Sequence, residues 1–283
     1  MVNRKQLDPS SSHWAPFGVQ LRRSREAAGL TQAELARKVG YDPSYVSYTE
    51  LASREAPSEQ FARKVDEVLN TGGTLVLMWF QHKHTALLEG FPEYAAQEAK
   101  AAKIRVFELG LVPGLFQTPD YAAAIAAAAV QRGSITSAQA AQRAAFLSAR
   151  QQLFERTKPP LVHAVLDESC LRRQVGGPEV MVEQFRHLEA LAERPNVILQ
   201  VAPFGLGERA PFMMAVYLLT LPTGTMLGYT ESHQRGLLER ERDTVIAWDR
   251  DYDRLQVEAL SRADSLAMIR AVREEPSPCP ALT

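Results

Sequence analysis

The stretch TQAELARKVGYDPSYVSYTE, residues 31–50, decides how the N-terminal part of this chain folds. Thr31 stands where a helix cap is needed, and Glu34 follows three residues on, the spacing of a capping box. Leu35, Ala36 and Val39 recur on one helical face. Gly40 supplies a residue that tolerates a left-handed backbone. Asp42 caps the next helix, and Pro43 takes its first position. In that helix Val46 is the inward apolar residue, while Ser44, Ser47 and Tyr48 stand opposite it. A helix with a small residue at the crossing (Ala36), a glycine turn and a second helix with a polar face together meet the needs of a helix-turn-helix entering a DNA major groove.

Working outward, Phe17, Leu21 and the pair Ala27 and Ala28 predict a preceding helix that Gly29 stops. Ser58 caps a fourth helix carrying Phe61, Val65, Val68 and Leu69. Gly72 and Gly73 interrupt it, and a fifth helix from Thr74 takes residues 75–80 on toward Leu88 as a connector. The second half differs in texture. Helices are expected over 94–108, 120–131, 136–156, 235–248 and 253–273, and a structured loop over 112–118. Strands are expected at 161–166 and 197–201 with a helix over 178–193 between them. That βαβ pattern predicts parallel neighbours with a right-handed crossover. Residues 212–221 and 225–230 read as a hairpin around Pro222, Thr223 and Gly224. The fold class is multidomain: an all-α helix-turn-helix domain, then an α+β domain with a mixed sheet and helices. The division is a polar arm (1–14), the helix-turn-helix domain (15–72), a helical connector (73–93), the α+β domain (94–274) and a flexible tail (275–283).

The totals fit this division. A chain of 283 residues suggests two domains at ~100–200 residues each. The net charge of −1 favours no partner by itself, so DNA attraction must come from local charge. Residues 15–40 supply it, with five basic side chains (Arg22, Arg23, Arg25, Arg37, Lys38) against Glu26 and Glu34. Cys170 and Cys279 are too few and too far apart for a disulfide framework. The N-terminus has no apolar core of the signal-peptide kind, and the apolar runs 75–80 and 122–130 fall short of the ~20 residues that span a bilayer. A cytoplasmic protein without membrane contact is expected.

No catalytic set emerges. Cys170 lies near His163 and Asp167 in sequence, but no nucleophile motif surrounds it and Leu171 beside it is apolar, so a buried inert thiol is expected. His82 and His84 are two apart and diverge on a helix; His187 and His233 are isolated. The expectation is a protein that is not an enzyme and needs no metal or cofactor. Asp167 and Glu168 followed by Arg172 and Arg173 read first as a salt-bridged surface, second as a ligand or partner site. Gly205-x-Gly207 lacks the third glycine and the following helix of a phosphate loop.

Residues 29–40, GLTQAELARKVG, with the short helix ending in Glu50, resemble the Xre family of lambda-repressor-like helix-turn-helix proteins. The resemblance implies that Gln32, after the capping Thr31, binds phosphate. It implies that Pro43, Ser44, Tyr45, Ser47 and Tyr48 hold the base-reading positions, that Arg25 and Glu50 form a buried brace, and that Arg54 in the loop 52–57 meets the backbone. Pro43 has no donor and offers only packing against a thymine methyl; Tyr45 is either a base contact or a surface aromatic. Two positions depart from the family: Leu51-Ala52 stands where an Asn-Gly or Arg-Gly step is usual, and Thr49 where a large apolar residue is common. From about Glu98, the stretches VPGLFQTPDYA (112–122), LDESCLRRQVGGPEVM (166–181) and NVILQVAPFGLG (196–207), with TES at 230–232, resemble the C-terminal domain of unknown function found behind Xre modules in actinobacterial regulators. Some of these are described as antitoxin-like, with a small partner encoded alongside.

The expected function is therefore a sequence-specific transcriptional regulator that binds double-stranded DNA. One such domain buries too little for tight binding, so a homodimer on an inverted-repeat operator is expected, with half-sites ~34 Å apart. The C-terminal domain would sense a small protein encoded nearby or a small-molecule ligand. The alternative is an antitoxin-like protein that sequesters a small partner and autoregulates its operon.

Overall fold

The structure, a computed structural model, describes residues 14–53, 57–83, 87–88, 90–232 and 235–275. It divides into two units, residues 1–85 with 152–157 and residues 86–151 with 158–283. Apart from Trp14 and Glu275, the expected arm and tail lie outside the described residues.

Unit 1 is helical: α1 (Ala15–Ala27), α2 (Gln32–Val39), α3 (Pro43–Glu50), α4 (Glu59–Leu69) and α5 (Thr74–Lys83). Its caps follow the sequence. Thr31 and Glu34 close the capping box, Asp42 accepts from the Ser44 amide and Ser58 from the Phe61 amide. Gly40 sits at φ 72°, the left-handed conformation that ends α2. Phe17, Leu21, Leu35, Val46, Phe61 and Val65 are fully buried and form the core.

The connector expected after residue 72 is instead part of this core. Leu75, Val76, Leu77, Trp79 and Phe80 of α5 are buried. The Asp66 carboxylate of α4 receives the amides of Gly73 and Leu75, both at 2.7 Å, and of Val76 at 3.1 Å, so a buried acid holds the start of α5. The Trp79 indole donates to the Pro57 carbonyl at 2.6 Å. A helix apolar on nearly every side has to be covered on nearly every side, and α5 finds that cover within unit 1.

Unit 2 holds a six-stranded mixed sheet in the order β3-β2-β1-β4-β5-β6. It begins with α6 (Phe91–Glu98) and β1 (Lys103–Glu108). The single helix expected over 94–108 is thus two elements. Ile104, Val106 and Phe107 are buried in β1, which lies between two other strands, where β-branched and aromatic side chains pack well. After β1 come α7 (Pro119–Gln131), α8 (Ser137–Gln151), β2 (Leu161–Asp167), the single turn α9 (Ser169–Arg172), α10 (Pro178–Ala192) and β3 (Val197–Ala202). Strands β1, β2 and β3 run parallel, as the βαβ pattern predicted for the last two.

The expected hairpin is β4 (Val216–Thr220) with β5 (Met226–Glu231), and β4 pairs antiparallel with β1. The helix expected from 235 starts only at α11 (Arg242–Glu258), because residues 236–239 form the edge strand β6 (Gly236–Glu239) on β5. The chain closes with α12 (Arg262–Glu274). Helix α11 packs on β3, β4 and β5, around Phe107, Val165, Leu218, Val245, Tyr252 and Leu255. Among the described residues no helix is long and apolar enough to cross a membrane.

Candidate DNA interface

The interface is built around one carboxylate. Glu50, the last residue of α3, is fully buried. Its Oε1 accepts from Arg25 Nε at 2.5 Å and its Oε2 from Arg25 Nη2 at 3.0 Å. Oε2 also accepts from Gln32 Nε2 at 2.7 Å, and Arg22 Nε lies 3.5 Å away. Arg25 donates further to the Leu30 carbonyl at 2.8 Å. The hydrogen bond to Glu50 raises the guanidinium pKa further above its ordinary value. Three helices are thereby tied to one acid. The brace between Arg25 and Glu50 forms, and Gln32, the phosphate candidate, is oriented by the same group.

The exposed side of α3 carries most of the remaining candidates. Pro43 and Ser44 are exposed, and Ser47 and Tyr48 are half-buried. Residues 44, 47 and 48 fall at helical spacing on the face opposite Val46 and Glu50. Thr31 is exposed, but its hydroxyl is committed to the cap, accepting from the Glu34 amide at 3.2 Å and donating to the Glu34 carboxylate at 2.7 Å. Arg23, Arg37 and Lys38 are exposed and add positive charge to this unit. Arg54 lies outside the described residues.

Tyr45, assigned to the reading positions by sequence, turns the other way. Its ring packs 4.8 Å from Phe61 and 5.0 Å from Tyr41, and its hydroxyl accepts from the Ser58 amide at 3.0 Å. It braces α3 against α4. The reason is helical geometry: residues 45 and 49 flank the buried positions 46 and 50, and the large residue of that pair fills the gap to α4. No helical spacing signalled this, since Tyr41 lies in the turn before α3 and Phe61 in another helix.

Gly18 is a contributor that periodicity did not single out. A Cβ there would lie 2.5 Å from the Thr49 carbonyl oxygen and 2.8 Å from that of Glu50. Only a glycine lets α1 approach the end of α3 so closely. After α3, Ala52 takes φ 48°, a left-handed conformation that costs an L-residue such as alanine energy and a glycine none.

Residues 16–78 match the family described as Helix-turn-helix domain, and residues 91–271 match Domain of unknown function (DUF5753). The chain belongs to the DUF5753 family. Helix-turn-helix domains are DNA-binding modules, and in this DUF5753 protein the matched region runs into α5, in line with the packing of that helix. No curated protein and no solved structure matches the chain.

In the DUF5753 domain, the charged stretch after β2 is bonded internally. The Asp167 carboxylate caps Ser169, accepting from its amide at 2.9 Å and from its hydroxyl. Glu168 accepts from Arg172 Nε at 3.1 Å and from the Phe204 amide at 3.0 Å. The geometry is that of a salt-bridged strand end. Cys170 is buried with its thiol on the Glu108 carbonyl at 3.3 Å, and burial pushes its pKa up, so the thiol stays protonated. His163 bonds Gln200 at 2.7 Å, and burial lowers its pKa.

Proposed function

We propose that this protein is a sequence-specific DNA-binding transcriptional regulator of the Xre type, acting as a homodimer on an inverted-repeat operator. Helix α3 enters the major groove and reads bases with Ser44, Ser47 and Tyr48, and Pro43 packs at its start. Gln32 and the exposed amino end of α2 take a backbone phosphate. The observation that carries this reading is the shared anchor: Glu50 fixes Gln32 and the end of α3 together, so the phosphate contact and the reading face keep one register. We read the DUF5753 domain as the dimerising and sensing part, without catalytic activity; the buried, protonated state of Cys170 supports that.

The test is selection of bound duplexes from a random pool, followed by gel-shift titration and light scattering. The expected result is an inverted repeat bound by two chains. Selection of no motif, or a single chain on the selected site, overturns the reading. The antitoxin-like alternative would need an exposed apolar partner surface, and Phe204, Met213 and Val257, 57%, 87% and 84% exposed, are the side chains to test for it. Co-purification of a small protein that abolishes the gel shift, and fails to bind a Met213→Glu, Val257→Glu variant, would favour it.

A further inference from the structure

Unit 2 contains a cleft of about 500 Å³. It opens where β1 and β5, which run the same way, have their carboxyl ends, the edge of a sheet at which α/β proteins commonly place ligands. Its walls are Leu88, Phe91, Leu111, Ile125 and Leu147, all half-buried. Apolar side chains lining a concavity of this size suit a small molecule better than bulk water.

The floor of the cleft is polar and already balanced. Arg150 is only 6% exposed. Its Nε and Nη2 bond the two oxygens of the buried Glu98 at 2.7 and 2.8 Å, and its guanidinium carbon lies 4.7 Å from the Phe91 ring centre. Tyr94 donates to the same Glu98 at 2.6 Å. Among the described residues Arg150 Nη1 meets no acceptor. It lies 3.1 Å from where a Cβ on Gly114 would stand, and both residues line the cleft. The glycine therefore leaves Nη1 uncovered. A guanidinium N–H that opens into the cleft and spends nothing on a protein acceptor is free to donate to an acceptor arriving there.

Charge decides what kind of acceptor. Glu98 neutralises Arg150, and the other two charged residues of the lining, Arg143 and Glu231, are of opposite sign and cancel in the sum. No net positive charge remains to favour an anion. We propose that the cleft binds a neutral, mainly apolar small molecule whose carbonyl oxygen accepts from Arg150 Nη1. This deepens the sensing role proposed above, but the test reads binding without DNA, so either reading can fail alone.

The test titrates the full chain with prodan, a neutral naphthyl ketone whose emission shifts to the blue in apolar surroundings, beside anilinonaphthalene sulfonate, an anionic naphthyl probe. One saturable prodan site is expected, bound at least tenfold tighter than the sulfonate. Ala144→Trp and Ala126→Trp, which fill the cleft from α8 and α7, should each weaken prodan at least tenfold without altering the circular dichroism. Gly114→Ala, which places a methyl against Nη1, should weaken it about fivefold. Absence of saturable binding, or unchanged affinity in both tryptophan variants, overturns the site. Equal or tighter binding of the sulfonate overturns the neutrality of the ligand, and unchanged affinity in Gly114→Ala overturns the role of Nη1.

Discussion

The side-chain amide of Gln32 donates to Oε2 of Glu50 at 2.7 Å, so the first residue of α2 is held by the last residue of α3. That acid also holds Arg25, whose guanidinium has little contact with water. Removing one partner of a buried ion pair strands the other, at a typical cost of ~3–5 kcal/mol. Glu50→Ala should destabilise unit 1 by about that much, while Arg25→Met with Glu50→Leu should cost less. Urea unfolding of the full chain, followed by hydrogen exchange in α1–α3, measures both; equal losses would mean that the brace is not what holds these helices.

Gln32→Ala and Tyr48→Ala should both weaken operator binding, but differently. Loss of a phosphate contact lowers the salt slope by about one and acts alike on all sequences, whereas loss of a base contact relaxes specificity and leaves the slope. Gel-shift titrations across a salt series separate the two. Reversed signatures would exchange the two assignments.

Tyr45 lies on the inner side of α3, so its substitution should act on stability. Tyr45→Ala removes a ring packed on Phe61 and Tyr41, at about 3 kcal/mol for a large aromatic truncation. Tyr45→Phe should cost ~1 kcal/mol, the worth of one hydrogen bond, and leave operator affinity per folded molecule unchanged. A Tyr45→Phe variant that folds fully and reads a different operator would place Tyr45 at the bases after all.

Gly18 and Ala52 should respond with opposite signs. Gly18→Ala drives a methyl into the Thr49 and Glu50 carbonyls, and such overpacking costs ~1–3 kcal/mol. Ala52→Gly relieves a left-handed backbone, worth ~1–2 kcal/mol less the added freedom of the unfolded chain; a net gain of about 0.5–1 kcal/mol is expected. Thermal melts of the two variants give the comparison directly.

Unit 2 should lose stability as pH rises from about 4.5 to about 7. Burial pushes the Glu108 carboxyl up to about 7 from its ordinary 4.5, although Tyr217 donates to it. The folded chain therefore keeps a proton that the unfolded chain releases near 4.5. Stability falls between those values and is flat above them, by up to about 3 kcal/mol at ~1.4 kcal/mol per pH unit. Glu108→Gln should flatten that part of the profile in urea melts at several pH values. An unchanged slope would assign the effect elsewhere.

Legibility followed the range of the interactions. Thr31, Glu34, Gly40, Asp42 and Ser58 act on the chain within a few residues, and each was readable before any fold was known. The hairpin at 222–224 and the strands β2 and β3 announced themselves by turn residues and β-branched runs. Residues 103–108 and 236–239 did not. Both lie next to helical patterns; 103–108 becomes a strand by pairing with β2 and β4, more than fifty residues away, and 236–239 by adding to the free edge of β5 just before it.

The sequence by itself determined the helix-turn-helix of residues 31–50, because caps, a glycine turn and a helical apolar face are local physics. It also placed Glu50 opposite Arg25 through resemblance. Only the tertiary structure decided which way Tyr45 points, why residue 18 must be glycine, that α5 closes the first core, and that Arg150 stands under an apolar cleft with one amine uncovered. Those outcomes depend on where distant backbones come to lie, and a side chain's spacing along the chain carries no record of that.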